Sequence, residues 1–211
     1  MAITEHAQPP HERQAAILER IATNAPLQKT LDELVRYVED QLPGASGSLL
    51  LIEPDGRRLR YAAGYRLPAA HNTQLGSIEI GASAGSCGTA AFRRTPVFVT
   101  DIASDPLWAD YRELAQAHDL HACWSTPILS RRRLDHGGVL GTLAVYFQAP
   151  RAPEPAHRDL LAHVEHLACI ALEADYAARE LRESDTRLRM FVDHATDGFF
   201  VHDGMTGAVV G

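Results

Sequence analysis

Over residues 11–22 the apolar positions Ala15, Ile17, Leu18 and Ile21 recur at helical spacing, and after Pro26 a second stripe follows at Leu27, Leu31, Leu34, Val35, Val38 and Leu42. Two amphipathic helices are predicted, the second stopped by Pro43-Gly44. The pattern then changes period. Residues 48–52 and 58–62 are short apolar runs on either side of Glu53-Pro-Asp-Gly56, which is turn chemistry, so the pair reads as a hairpin. A third strand is predicted at 77–80, and a helix opening in small residues at 85–92. A strand at 97–100 follows Pro96, and a helix at 107–118 has Asp105 as its N-cap and Pro106 in its first turn. Two further strands, 122–129 and 139–148, are joined by a basic link over 130–138.

Beyond the proline-rich residues 150–155 the chain carries no proline or glycine from Ala156 to Met190 and reads as one long helix. Leu160, Val164, Leu167, Ala171, Ala174, Ala178, Leu181, Asp185 and Leu188 alternate in steps of four and three, which keeps a seam turned toward a partner helix. Through Ala171 the stripe is broad, with Leu161, Ala168 and Ile170 beside it; beyond Ala174 it narrows between Asp175, Arg182 and Arg189. The first half is therefore predicted to pack on the domain's own sheet and the second to form a coiled-coil linker. An alanine seam buries little area per layer, and Asp185 weakens one layer further.

Composition changes this picture little. The chain has 211 residues, of which 45% are hydrophobic and 22% charged, an ordinary globular balance long enough for one domain and a remainder. The net charge of −7 repels phosphate backbones and anionic lipids at long range, so neither nucleic acid nor a membrane is an expected partner. The longest apolar run, residues 137–147, contains three glycines and is too short to cross a bilayer, and residues 1–13 carry no secretory signal pattern. Three cysteines without a C-x-x-C suit reduced thiols in the cytoplasm.

Four separated stretches resemble GAF domains of bacterial signalling proteins: Gly85-Ser-Cys-Gly-Thr-Ala-Ala-Phe92, Val97-Phe-Val-Thr-Asp-Ile102, Asp105-Pro-Leu-Trp108 and Cys123-Trp-Ser-Thr-Pro-Ile128. The tail from Leu188 to Asp203 resembles the opening of a PAS domain. These resemblances imply an α/β (α+β) fold: a central antiparallel sheet, helices carrying both chain ends on one face, a ligand pocket under helices on the other, and a long C-terminal signalling helix. The predicted layout is a disordered lead-in at 1–12, a GAF sensory domain at 13–172, a coiled-coil linker at 173–190 and the start of a PAS domain at 191–211.

The candidate ligand-binding residues are Cys87, Phe92, Asp101, Trp108, Tyr111, Trp124, Ser125 and Thr126. Cys87 lies in a glycine-flanked segment before a helix, where backbone N–H groups could lower a thiol pKa or hold an anion; a small thiol closing the turn is the plainer alternative. Phe92, Trp108, Tyr111 and Trp124 concentrate aromatic area in the stretch that roofs the pocket of the resembled fold, the alternative being core packing. Asp101, Ser125 and Thr126 could orient a small ligand, although Asp101 could equally cap a turn. Cys87 and Cys123 are followed by Gly88 and Trp124 rather than histidine, so no bilin attachment is indicated, and a cyclic-nucleotide motif is missing. His163, His166 and Cys169 read as helix surface rather than a metal site, and Ser130-Arg-Arg-Arg133 as a solvated hairpin tip.

The resemblance implies a regulatory module that senses a small molecule or a redox change and pairs as a parallel homodimer through Leu160 to Leu188. The output it implies is a sensor histidine kinase of a two-component system, with a diguanylate cyclase or cyclic-di-GMP phosphodiesterase as the alternative. A GAF-fold free methionine sulfoxide reductase is a further, enzymatic alternative. No catalytic residue, metal or cofactor is assigned, and the ligand is unidentified.

Overall fold

The computed structural model describes residues 10–67, 76–133 and 135–193, together with 201–202 and 209–210. Helices α1 (Pro10–Ala22) and α2 (Leu27–Gln41) arise where the two stripes predict them. On α2 the stripe residues Leu31, Leu34, Val35 and Val38 are buried, each worth about 1.5–3 kcal/mol of apolar transfer before ordering costs. Strands β1 (Ala45–Ile52) and β2 (Arg58–Gly64) form the expected hairpin, closed by the Gly56 amide donating to the Glu53 carbonyl at 2.9 Å. β1 starts three residues earlier than the apolar run, since Ala45, Ser46 and Gly47 pair with Phe147, Tyr146 and Val145 although their side chains are too small to register as a hydrophobic pattern.

β3 (Ser77–Glu79), α3 (Gly85–Arg93) and β4 (Val97–Val99) follow. The single helix predicted over 107–118 is two: a 3-10 helix, Pro106–Tyr111, and α4, Arg112–Ala117. Asp105 caps the first by accepting from the Leu107 amide at 2.8 Å. β5 (Ala122–Leu129) and β6 (Val139–Phe147) are the central hairpin, and the sheet order is β3-β2-β1-β6-β5-β4, with antiparallel pairing at each junction.

Two layers of helix cover this sheet. On one face, Trp124 of β5 stacks on His157 of the long helix α5 (Pro155–Asp193) at 5.5 Å between ring centroids. α2 packs on the same face, where Val35 lies against Gly47, a neighbour of Val145 and hence of Trp124 across the ladder. On the other face lie α3, the 3-10 helix and α4, enclosing a core that includes Leu50, Leu59, Ile78, Cys87, Trp108, Cys123 and Tyr146. The layering expected from the sequence is thus present: both chain-end helices on one side, pocket helices on the other.

α5 runs without interruption from Pro155 to Asp193. Leu161, Val164, Leu167, Ala168, Ala171 and Leu172 are buried, whereas Leu181 and Leu188 are 71% and 64% exposed. One expectation is thereby narrowed. Val164, Leu167 and Ala171 are used up inside the chain's own core, so a seam for a second chain is available only from about Ala174 onward. The chain divides into two compact units at Asp175 and Tyr176.

The lead-in expected over 1–12 lies outside the described residues as far as residue 9, and α1 already begins at Pro10. The PAS-like opening expected over 191–211 lies largely outside them as well; what is described is a short antiparallel pair, β7 (Val201–His202) with β8 (Val209–Val210).

Candidate functional site

Between the sheet and the pocket helices is a cavity of about 10 Å³ lined by Ile78, Ala84, Ser86, Cys87, Trp108, Tyr111 and Tyr146, among others. That is room for about one water molecule. Backbone geometry makes the closeness possible. Gly85 opens α3 at φ +60°, a left-handed turn that a side chain would strain, and a β-carbon at Gly88 would stand 2.2 Å from the Glu79 carbonyl oxygen, so helix and β3 touch backbone to backbone.

A short relay ties three elements together above the sheet. The Trp108 indole N–H donates to Ser86 Oγ at 2.9 Å, and Ser86 Oγ donates to the Cys123 carbonyl at 3.3 Å, linking the 3-10 helix, α3 and β5. Trp108 also meets Tyr111 and Tyr146 edge to face, at 6.3 and 6.5 Å.

Cys87 sits in the first turn of α3, 3.9 Å from the Tyr146 hydroxyl. Its thiol is lowered to about 7 although burial opposes ionisation; the groups responsible are the Cys123 thiol first, then the hydroxyls of Ser125, Tyr146 and Thr142. Cys123 moves oppositely: burial and the neighbouring Cys87 charge push it well above the usual thiol value. Tyr146 is raised by burial and by the two sulfurs. The floor beneath Cys87 is polar. Ser48 and Ser125 flank Ala144 on adjacent strands, with Thr142 two residues along β6, and the hydroxyls of all three are buried with no hydrogen-bond partner in the protein.

The eight sequence candidates therefore separate. Cys87, Trp108 and Tyr111 line the cavity, and Ser125 belongs to its floor. Trp124 and Thr126 do not belong to it. Successive side chains of a strand point to opposite faces, and Trp124 is committed to α5 by its ring stacking and by donating from Nε1 to the Arg151 carbonyl at 3.0 Å; Thr126 shares its parity. Phe92, on the outer side of α3, is 57% exposed and meets solvent instead of roofing the pocket. Asp101 holds a turn, accepting from the Ala103 amide at 3.1 Å and from Ser104 Oγ at 2.6 Å.

Sequence reasoning missed Ser48, Ser86, Thr142 and Tyr146. The alternation of Thr142, Ala144 and Tyr146 with Leu143 and Val145 puts the first three on one face of β6, but burial along the whole strand leaves no sequence signal for which face meets the cavity. Cys169, the third thiol, is elsewhere: it donates to the Leu129 carbonyl at 3.3 Å and is raised to about 11 by burial and by Glu173 and Glu165. It borders a surface groove of about 880 Å³ between α5 and the β5–β6 tip, where Arg131 and Arg132 also lie.

Comparison with known proteins places this architecture. A Methanosarcina acetivorans protein described as a methyl sulfide methyltransferase-associated sensor is 34% identical over 190 residues, covering 90% of this chain and 19% of that protein. The chain thus spans about a fifth of that relative. Among solved structures, the GAF domain of a phosphoenolpyruvate-protein phosphotransferase from Coxiella burnetii superimposes with a TM-score of 0.63 at 18% identity, over 83% of this chain and 99% of that one. The free methionine-R-sulfoxide reductase of Neisseria meningitidis, solved with its substrate, gives a TM-score of 0.63 at 16% identity over 84% and 96%. Both share the fold. Residues 24–173 match the family model of the GAF domain, and the chain belongs to that family.

Proposed function

We propose that this chain is the sensory part of a longer signalling protein, in which a change inside the α3 cavity alters the pairing of α5 with the same helix of a second chain. The observation that carries the reading is the division of labour along one unbroken helix: Leu161, Val164, Ala168 and Ala171 are locked in the core, while Leu181 and Leu188 are left exposed at seam spacing. The 34% identical relative described as a sensor supports a regulatory role.

β5 supplies the connection. It presents Cys123 and Ser125 to the cavity and Trp124 to the first turn of α5, and at its far end Ser130 Oγ bonds Glu173 Oε1 at 2.5 Å. A displacement of this strand moves both contacts with α5. The seam from Ala174 to Leu188 has alanine at two layers and Asp185 at a third, so two registers differ by about a few kcal/mol, within reach of a ligand with differential affinity. The output is a two-component histidine kinase, with a diguanylate cyclase or phosphodiesterase as the competing assignment, and residues 191–211 begin a PAS domain.

The test couples two readouts on the 211-residue chain. In a metabolite thermal-shift screen, a compound that raises the melting temperature is expected also to change the dimer dissociation constant measured by analytical ultracentrifugation. A monomer at micromolar concentration, or binding that leaves association unchanged, would overturn the reading. Cys87 beside Cys123 favours a second one, thiol-dependent reduction of methionine sulfoxide, which requires turnover that Cys87→Ser abolishes. The cavity, sized for about one water, must open for methionine sulfoxide or a metabolite alike, and it is the exposed seam leucines Leu181 and Leu188 that favour the sensor.

A further inference from the structure

The polar floor of the cavity needs an explanation that packing alone does not supply. A buried hydroxyl without a partner costs about 1–3 kcal/mol, and Ser48, Ser125 and Thr142 place three of them on neighbouring strands β1, β5 and β6. Above this floor is Cys87, 3.9 Å from the Tyr146 hydroxyl, and Cys123 is the cross-strand partner of Tyr146 with its carbonyl bonded by Ser86, the residue next to Cys87. An ionised Cys87 resolves part of the problem: Ser125 and Thr142 then have an anion to which they donate, and a thiolate is held by the hydroxyls that an uncharged core would leave idle. The two cysteines are not equivalent within the site. Cys87 stands in the first turn of a helix and lines the cavity, whereas Cys123 is set in the central hairpin beneath it, in register with Tyr146.

We propose that Cys87 is a hydrogen-peroxide-reactive thiolate and Cys123 its resolving thiol, the two forming a reversible disulfide at the floor of the cavity. The chemistry closes without a further reagent. The Cys87 thiolate attacks one peroxide oxygen and the O–O bond breaks; sulfur is oxidised to a sulfenic acid, and the departing hydroxide takes a proton to become water. Cys123 sulfur then attacks Cys87 sulfur, the S–O bond breaks, and hydroxide leaves with the Cys123 proton as a second water. The sum is two thiols and one hydrogen peroxide giving one disulfide and two waters. An external thiol restores the reduced pair by exchange.

Three features of the site fit this assignment. The cavity has room for about one water, so hydrogen peroxide needs only a small opening of its walls whereas a bulky organic hydroperoxide needs a large one. The Cys123 thiol and the neighbouring hydroxyls lower Cys87 and so favour its thiolate, while burial and Cys87 itself push Cys123 up and keep it protonated. The Ser86 hydroxyl that bonds the Cys123 carbonyl also receives the Trp108 indole, so drawing Cys87 and Cys123 together pulls on the 3-10 helix and on β5 at once. The thiol chemistry stands independently of the sensor reading; only its effect on α5 rests on that reading.

The experiment uses the 211-residue chain with Cys169→Ser, which removes the half-buried third thiol. After stoichiometric hydrogen peroxide, intact mass is expected to fall by two hydrogens, and non-reducing peptide mapping to join the peptides of Cys87 and Cys123; dithiothreitol reverses both. Cys123→Ala is expected to stop at sulfenic acid, trapped by dimedone on Cys87, and Cys87→Ser to abolish oxidation at Cys123. Cumene hydroperoxide is expected to react at least tenfold more slowly. Circular dichroism of each variant confirms folding, and trapping kinetics on the parent chain give a readout independent of any variant. The proposal is overturned if the folded parent yields neither disulfide nor adduct while the urea-unfolded chain reacts, or if cumene hydroperoxide reacts as fast. A disulfide that forms without changing dimer affinity confirms the site and removes its link to α5. No disulfide, with association still tuned by a metabolite, removes the redox site and leaves the sensor.

Discussion

Replacing Leu181 and Leu188 by alanine together isolates the exposed half of α5. Burying a leucine side chain is worth about 1.5–3 kcal/mol, and these two are 71% and 64% exposed, so pairing with a second chain recovers about 1–2 kcal/mol from each. A two-fold dimer contains four such side chains, and losing them costs about 4–8 kcal/mol of association. At about 1.4 kcal/mol per factor of ten, the dissociation constant rises by about a thousandfold or more. Nothing else in the seam compensates, because Ala174 and Ala178 are small and Asp185 is engaged by Arg189 at 2.9 Å on its own helix. Sedimentation equilibrium measures the effect directly, and chemical unfolding of the monomer supplies the control: solvent-facing sites are expected to change fold stability by less than about 0.5 kcal/mol. Leu161→Ala, fully buried, is expected to show the reverse, costing about 2–5 kcal/mol of stability. Association of the double variant at wild-type strength would refute the seam, as would a loss of fold stability equal to that of Leu161→Ala.

Three further outcomes follow from individual contacts. Glu39 is buried while accepting from the Gly47 amide at 2.7 Å and the Arg66 amide at 3.1 Å, and burial outweighs these donors to raise its carboxyl above the ordinary 4.5. A raised carboxyl favours the folded state most below the unfolded value, and that contribution is lost as pH rises through the folded one, so wild type should lose stability relative to Glu39→Gln from pH 4.5 upward; a constant difference in urea titrations from about pH 4 to 8 would contradict this. Gly88→Ala pushes a β-carbon to 2.2 Å from the Glu79 carbonyl, so α3 must lift off β3 at a cost of about 1–3 kcal/mol, with faster iodoacetamide labelling of Cys87 as the local readout. Ser130→Ala removes the bond to Glu173 and the acceptor for the Arg132 and Arg133 amides, at 3.1 and 2.9 Å; denaturant unfolding should register about 1–3 kcal/mol, and a change below about 0.5 would show that this latch holds nothing.

The eight candidates divide for a reason that a residue list hides. β5 is buried along both faces, so Cys123, Trp124, Ser125 and Thr126 carry no alternation of polar and apolar character from which to read their direction. Grouping them by proximity in the chain placed Trp124 and Thr126 in the cavity together with Ser125, and strand geometry forbids that. Phe92 is a different case: its aromatic ring suggested a pocket roof, but near the C-terminal end of α3 it is 57% exposed.

Local pattern was sufficient wherever a segment is covered on one side. The stripe of α2, the Glu53-Pro-Asp-Gly56 turn and the four-three alternation of α5 each follow from a pattern carried by neighbouring residues, whereas the layered arrangement was implied by the resemblance of four separated stretches to GAF domains. What the amino-acid order alone left undetermined is the phase of the central strands: that Thr142 and Tyr146 turn toward Cys87, that Ser48 lies beside Ser125, and that Cys87 meets a cysteine far along the chain. Those relations depend on register between β1, β6 and β5 and on where α3 comes to rest, and both are fixed by contacts between residues distant in sequence.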